Sequence, residues 1–206
     1  RRQVENFKTA QDVTTKLVND LKSLKYTGTD DTVTGVPTGF KNLNRLTHGF
    51  QETQFIVLAA RPGVGKTALS LQFTYNAAKK GVPVAYFSLE MPAEQLFKRL
   101  ISLDAQVEHE MLLTGKGFDK EQRLSVTQSC RDLSQLKIYV DDTSGIQILD
   151  ICAKVRKLKE KEPKLGLVVV DYIGLVHTNL KSKADARQLE IQYISQTLKN
   201  LALELK

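Results

Sequence analysis

Residues 60 to 67 read Ala60-Arg61-Pro62-Gly63-Val64-Gly65-Lys66-Thr67 and follow directly on the apolar run Gln54-Phe55-Ile56-Val57-Leu58-Ala59. An apolar strand that turns through a Gly-rich loop into Gly-Lys-Thr and then a helix is suited to holding the phosphates of a nucleotide, ATP or GTP. The backbone N–H groups of the loop can converge on the anion, and Gly63 and Gly65 let the backbone approach without a Cβ. Lys66 is placed to reach the β and γ phosphates, and the Thr67 hydroxyl to reach a Mg²⁺ ion. The cofactor-binding segment is therefore read as 60–68, ending at Ala68. The usual pattern opens with Gly where this chain has Ala60; alanine is the smallest side chain after glycine, so the mechanism survives the departure.

Such a site needs carboxylates. Leu167-Val168-Val169-Val170-Asp171 is an apolar strand ending in aspartate, and downstream of a phosphate loop that aspartate is the expected metal-side residue, acting directly or through water. Hydrolysis also needs a group that orients and deprotonates water. Val84-Ala85-Tyr86-Phe87-Ser88-Leu89-Glu90 offers Glu90 at a strand tip; the plainer reading is a charge favouring the start of the helix after Pro92. Asp141 and Asp142 end another strand, and with Thr143-Ser144-Gly145 after them their expected duty is turn formation and helix capping before Ile146.

These residues need a scaffold to bring them together. Strands are expected at 54–59, 83–89, 136–141 and 166–171, short and without strict alternation, as in a parallel sheet covered on both faces. Helices are expected at 66–80, 92–103, 119–134, 146–161 and 185–206. The fourth would be capped by Thr143 or Ser144, with Ile148, Ile151, Cys152, Val155 and Leu158 inward. Alternating strands and helices point to a doubly wound α/β nucleotide-binding fold, with chemistry at the carboxyl ends of the strands. Ahead of it, Phe7, Ala10, Val13, Leu17, Leu21 and Leu24 recur at helical spacing, an amphipathic helix separated from the α/β region by the polar stretch 26–32. It either folds back on its own domain or docks on a neighbouring subunit.

Composition narrows the class. The chain has 206 residues, 41% of them hydrophobic and 26% charged, and it contains no run near the roughly 18 apolar residues of a membrane span. No apolar signal region follows the N-terminal residues. A cytoplasmic, globular protein is expected, without a membrane partner. The net charge of +7 is compatible with a polyanionic partner without demonstrating one. Cys130 and Cys152 stand apart, without ligand spacing, and read as buried thiols on helices. His48, His109 and His177 are scattered singly and suggest surface or packing roles.

The order of segments resembles the C-terminal ATPase domain of the DnaB-type replicative DNA helicases, a RecA-like P-loop family. The likeness runs from Thr34 to the last residue, through Gly35-Val36-Pro37-Thr38-Gly39-Phe40, the loop 60–67, Phe87-Ser88-Leu89-Glu90-Met91, Ile138-Tyr139-Val140-Asp141-Asp142-Thr143 and Val168-Val169-Val170-Asp171-Tyr172. That family's loop also begins with Ala. The resemblance implies a RecA-like fold, a mostly parallel sheet flanked by helices, in residues 34–206, preceded by a linker helix and flexible linker in 1–33. It further implies ATP and Mg²⁺ as cofactors, Lys66 and Thr67 as Walker A residues, Glu90 as catalytic base with Lys66 beside it, and Asp171 as Walker B carboxylate.

By the same resemblance the linker helix packs on the adjacent subunit of a homo-hexameric ring that draws single-stranded DNA through its channel and unwinds duplex DNA 5′ to 3′. Loop 174–186 is similar to a region near that channel, and Lys181, Lys183 and Arg187 are candidates for phosphate contacts. Primase and helicase loader are partners of the full-length family members. The family's fold continues with a further strand ending in a glutamine sensor, a DNA-contacting loop and an arginine finger, so residues 34–206 read as part of a longer polypeptide. That further strand lies between the phosphate-loop strand and the Walker B strand. A RecA-like recombinase or other oligomeric DNA-dependent ATPase is the neighbouring alternative, and a non-catalytic nucleotide-binding helicase partner the more distant one.

Overall fold

A computed structural model describes residues 7, 9–23, 33–178 and 186–206. The chain divides into two units, 1–32 and 33–206, and each has its own local logic. In the first, helix α1 spans Ala10–Ser23. Thr9 and Asp12 fix its start reciprocally: the Thr9 hydroxyl accepts from the Asp12 N–H at 3.1 Å while an Asp12 carboxylate oxygen accepts from the Thr9 N–H at 3.2 Å. The expected stripe is present, and Val13, Leu17 and Leu21 are all exposed along it. Leu24 and the linker residues 26–32 lie outside the described residues.

The second unit is built on a parallel three-stranded sheet. Its strands are β1 (Val84–Ser88), β2 (Ile138–Asp141) and β3 (Leu167–Asp171), in the order β2-β1-β3. β1 pairs with both neighbours, with Val84 opposite Ile138 on one side and Leu167 on the other, and Ser88 opposite Asp171. Parallel neighbours need crossovers, and helices provide them. The helices of this unit are α2 (Lys41–Thr47), α3 (Lys66–Lys79), α4 (Ala93–Ala105), α5 (His109–Thr114), α6 (Lys120–Ser134), α7 (Ile148–Lys161) and α8 (Ala186–Leu205), with a 3₁₀ turn at Ile173–Leu175; α4 to α6 cross from β1 to β2 and α7 from β2 to β3.

Side-chain alternation along β1 sorts the core into two layers. Ala85 and Phe87 point to one face, where Ile148, Ile151, Cys152 and Val155 of α7 meet Ile194, Leu198 and Leu201 of α8. Val84 and Tyr86 point to the other. There Tyr86 packs with Leu71 and Tyr75 of α3, Leu96 and Leu100 of α4 and Leu133 of α6, and Val84 with Ala77 and Ala78. Each fully buried leucine is worth about 1.5–3 kcal/mol over exposure, and Leu71, Leu96 and Leu100 are completely buried. Because β1 is covered on both sides, all five of its residues are buried.

Four expectations need correction. Residues 54–59 form no strand, and Ile56, Val57 and Leu58 are 49%, 66% and 37% exposed. A strand exists through its ladder partners, and among the described residues neither this run nor the outer edge of β3 has one. The α7 helix starts at Ile148 with Gln147 as its N-cap and no side-chain cap, so neither Thr143 nor Ser144 serves. Cys130 is exposed while Cys152 is buried; the inward line of α6 runs through Ser129 and Leu133, and Cys130 sits a further 100° or so around the helix. Asp142 does cap a helix, but a different one: its carboxylate accepts the Ala93 N–H of α4 at 2.9 Å.

Candidate nucleotide site

Lys66 is the first residue of α3 and follows a glycine N-cap. Gly65 has φ +103° and Gly63 φ +79°, conformations that cost an L-residue strain and a glycine none. The loop reverses through them, so that the first turn of α3 presents its unpaired N–H groups toward the exposed stretch Ala60-Arg61-Pro62-Gly63-Val64. Ala68 is exposed as well, and Lys66 and Thr67 are half-buried at the loop's base.

Asp171 ends β3 on the same side of the sheet as Tyr86 and Val169, the side that α3 covers. Its Oδ1 lies 3.7 Å from the Lys66 Nζ, and the carboxylate is 7% exposed. The Lys66 ammonium also rests over the Tyr172 ring, 4.3 Å from its centroid. A half-buried lysine and a buried aspartate thus face each other across the space between a helix N-terminus and a strand end. Glu90 lies two residues beyond Ser88, which pairs with Asp171, and its side chain is exposed.

A buried polar chain lies beneath the aspartate, and sequence patterns gave no hint of it. The Tyr86 hydroxyl donates to Asp171 Oδ2 at 3.2 Å and lies 2.8 Å from the Ser70 Oγ. Ser70 in turn donates to the Thr67 carbonyl at 2.9 Å. Burial drives the Tyr86 phenol far above its ordinary value; the Ser70 hydrogen bond opposes this and the Asp171 charge adds to it. The phenol is therefore protonated, and a donor, throughout the neutral range.

The other expected residues are dispersed. The Arg187 guanidinium is held by Glu190, at 3.0 Å, and by the Gly174 carbonyl. Lys181 and Lys183 lie outside the described residues. Asp141 is bound to Lys154 at 2.5 Å, away from the loop. His109 opens α5, and His177 hydrogen-bonds through its backbone to Ile146 and Ile148.

The donors fit a magnesium ion. Thr67 and Asp171 offer hard oxygen ligands, and among the described residues no group of three or more His, Cys, Asp or Glu side chains could form a protein cage. Few protein oxygens, completed by water and phosphate, is how Mg²⁺ is commonly held.

A phosphate loop opening α3 and facing the carboxyl end of a parallel sheet defines a P-loop NTPase fold of the α/β class. Residues 35–206 match the family model for the DnaB-like helicase C-terminal domain, and the chain belongs to that family. It is 41% identical over 201 residues to the replicative DNA helicase DnaB of Geobacillus stearothermophilus, covering 97% of this chain and 43% of that one. It is 40% identical over 207 residues to the replicative DNA helicase DnaC of Bacillus subtilis, covering 100% and 44%. Among solved structures, a DnaB-like replicative helicase, described with its interactions with primase, superposes with a TM-score of 0.85 at 29% identity, over 96% of this chain and 47% of the other. A separately solved ATPase domain superposes with a TM-score of 0.87 at 28% identity, over 97% and 69%. The chain thus spans less than half the length of these two curated relatives. Among the described residues no helix is long and apolar enough to cross a membrane.

Proposed function

We propose that this chain is the ATP-hydrolysing motor segment of a hexameric replicative DNA helicase that translocates 5′ to 3′ on single-stranded DNA and unwinds the duplex at the fork. The observation that carries the reading is the 3.7 Å approach of Lys66, on the phosphate loop, to Asp171 at the end of β3, in a member of a helicase family.

The residues divide the work. Loop 60–68 cradles the phosphates through backbone N–H groups, and Lys66 leaves Asp171 to meet the β and γ oxygens. Thr67 and Asp171 would hold magnesium, which when bound would neutralise phosphate charge. Glu90 orients the attacking water and accepts its proton. Phosphoryl transfer depends mainly on such positioning and charge compensation.

Two further features support the larger assembly. The exposed apolar stripe of α1, Val13, Leu17 and Leu21, suits docking on an adjacent subunit of the ring. The +7 net charge suits a polyanionic track, with Lys181, Lys183 and Arg187 contacting DNA phosphates without base preference. Primase and a loader would be the partners of the complete polypeptide, and the similar DnaB-like helicase described with its interactions with primase supports the first of these.

The test is strand displacement on forked DNA by the complete polypeptide, with the assembly state measured by native mass spectrometry. ATP-dependent unwinding by a hexamer, abolished by Lys66→Ala, is the expected result. Strand exchange without unwinding would favour a recombinase instead, and ATP binding without DNA-stimulated hydrolysis would favour a non-catalytic partner.

A further inference from the structure

We propose that Tyr86 is a positioning residue for Asp171: its hydroxyl holds Oδ2 from beneath the site, so that Oδ1 is presented to the phosphate loop. Ser70 ties the same phenol to the turn of α3 that carries Lys66 and Thr67. The proposal rests on the reading that Asp171 is the metal-side carboxylate.

The geometry assigns each carboxylate oxygen its own partner. Oδ1 faces Lys66 at 3.7 Å and Oδ2 faces the Tyr86 hydroxyl at 3.2 Å. Tyr86, Ser70 and Asp171 are 1%, 8% and 6% exposed, so water is a poor substitute for any of these partners. Buried acceptors left without a donor are costly, and hydrogen bonds to a charged carboxylate are the stronger kind.

Proton counting sharpens the assignment. Two hydroxyl protons, from Tyr86 and Ser70, serve three contacts: Tyr86 with Asp171, Tyr86 with Ser70, and Ser70 with the Thr67 carbonyl. An ionised carboxylate can only accept, so the Tyr86 proton goes to Asp171. The Ser70 proton is then shared between the phenol oxygen and the Thr67 carbonyl. A rotation of the Asp171 carboxylate breaks the first contact, and a shift of the first turn of α3 against β1 breaks the second, Tyr86 with Ser70. The relay therefore couples the two elements between which a metal-bound phosphate would sit.

The parallel register makes this reach possible. Ser88, not Tyr86, is opposite Asp171, and Tyr86 pairs with Val169. Tyr86 and Asp171 are diagonal neighbours on one face, a separation that a long aromatic side chain spans and a short one does not. The ring itself is core, packed with Leu71, Leu96 and Leu100. Phenylalanine would preserve that packing and delete only the hydroxyl.

The experiment compares Tyr86→Phe, Ser70→Ala and Asp171→Asn in the full chain. Binding of a fluorescent ATP analogue is followed by anisotropy, first in EDTA and then across a Mg²⁺ titration, with thermal melting as a folding control. Tyr86→Phe is expected to keep its EDTA-state affinity and raise the half-saturating Mg²⁺ concentration by about three- to tenfold. Ser70→Ala should move it in the same direction by less. An unshifted Mg²⁺ midpoint in Tyr86→Phe, with a lost response in Asp171→Asn, overturns the proposal while leaving the metal reading intact. An unshifted midpoint in Asp171→Asn overturns the metal reading and the proposal with it. If Tyr86→Phe does not fold, Ser70→Ala decides, and an unchanged midpoint there overturns the relay.

Discussion

The backbone N–H of Leu89 donates to the carbonyl of Asp171 at 2.9 Å, one residue past the end of β1. This rung carries the parallel ladder one residue beyond the strand proper, and Glu90 follows it directly in the chain. Glu90 and Asp171, far apart in sequence, thereby stand at the carboxyl ends of two adjacent parallel strands, and Lys66 of the phosphate loop faces the second of them.

That juxtaposition predicts a separation of roles. Lys66→Ala is expected to abolish nucleotide binding measured by calorimetry. Glu90→Gln is expected to bind normally and to lose hydrolysis by about 10²-fold or more, the usual scale for removing a general base. Phosphate release by Glu90→Gln at the parent rate would show that another group activates the water.

Asp142 predicts a stability effect away from the chemistry. Its carboxylate satisfies the Ala93 N–H at the free N-terminus of α4, so Asp142→Ala should cost about 1 kcal/mol in urea unfolding. Asp142→Asn should recover most of it, because an amide oxygen also accepts.

Three carboxylates predict the acid limb of the stability curve. Hydrogen bonds from Lys137 and then Tyr139 hold Glu162 below the usual carboxylate range, and one from Arg156 does so for Glu204. For Asp141, burial pushes upward, but the bonds from Lys154 and Thr143 outweigh it and the net shift is down. Lowered native values mean stabilisation that is complete above the ordinary carboxylate range and is lost as pH falls through the depressed one. The urea midpoint should therefore decline below about pH 5. Glu204→Gln should make that decline shallower, by no more than about 1 kcal/mol, because Arg156 and Glu204 are both near half exposed. A pH profile unchanged by this substitution would show that the pair contributes nothing.

The two thiols predict unequal chemistry. Cys130 is exposed and Cys152 is buried, with burial raising the latter's pKa. A thiol reagent at neutral pH should titrate one cysteine in the native chain and two in denaturant. Rapid reaction of both in the native state would contradict the burial of Cys152 in the core that α7 shares with α8.

Much of the candidate site was legible in the linear chain because its signals are local. A Gly-rich loop before Lys66-Thr67, an apolar run ending at Asp171 and another ending near Glu90 are each contained within a few residues, and each reflects a backbone requirement that only certain residue types meet. The helices were legible for the same reason, since a buried face at 3.6-residue spacing is written in one segment. The short helices Lys41–Thr47 and His109–Thr114 were not, because one or two turns carry too few buried positions to mark a period.

What the amino-acid order determined by itself was the local chemistry: a phosphate loop, two strand-tip carboxylates and the helical faces that carry them. What only the tertiary structure decided were the partnerships between distant segments: Tyr86 under Asp171, Asp142 on Ala93, Cys130 facing outward, and residues 54–59 without a ladder partner among the described residues. Those outcomes depend on register and on which element lies alongside, and a side chain's propensity contains no information about a neighbour dozens of residues away until the sheet has brought it there.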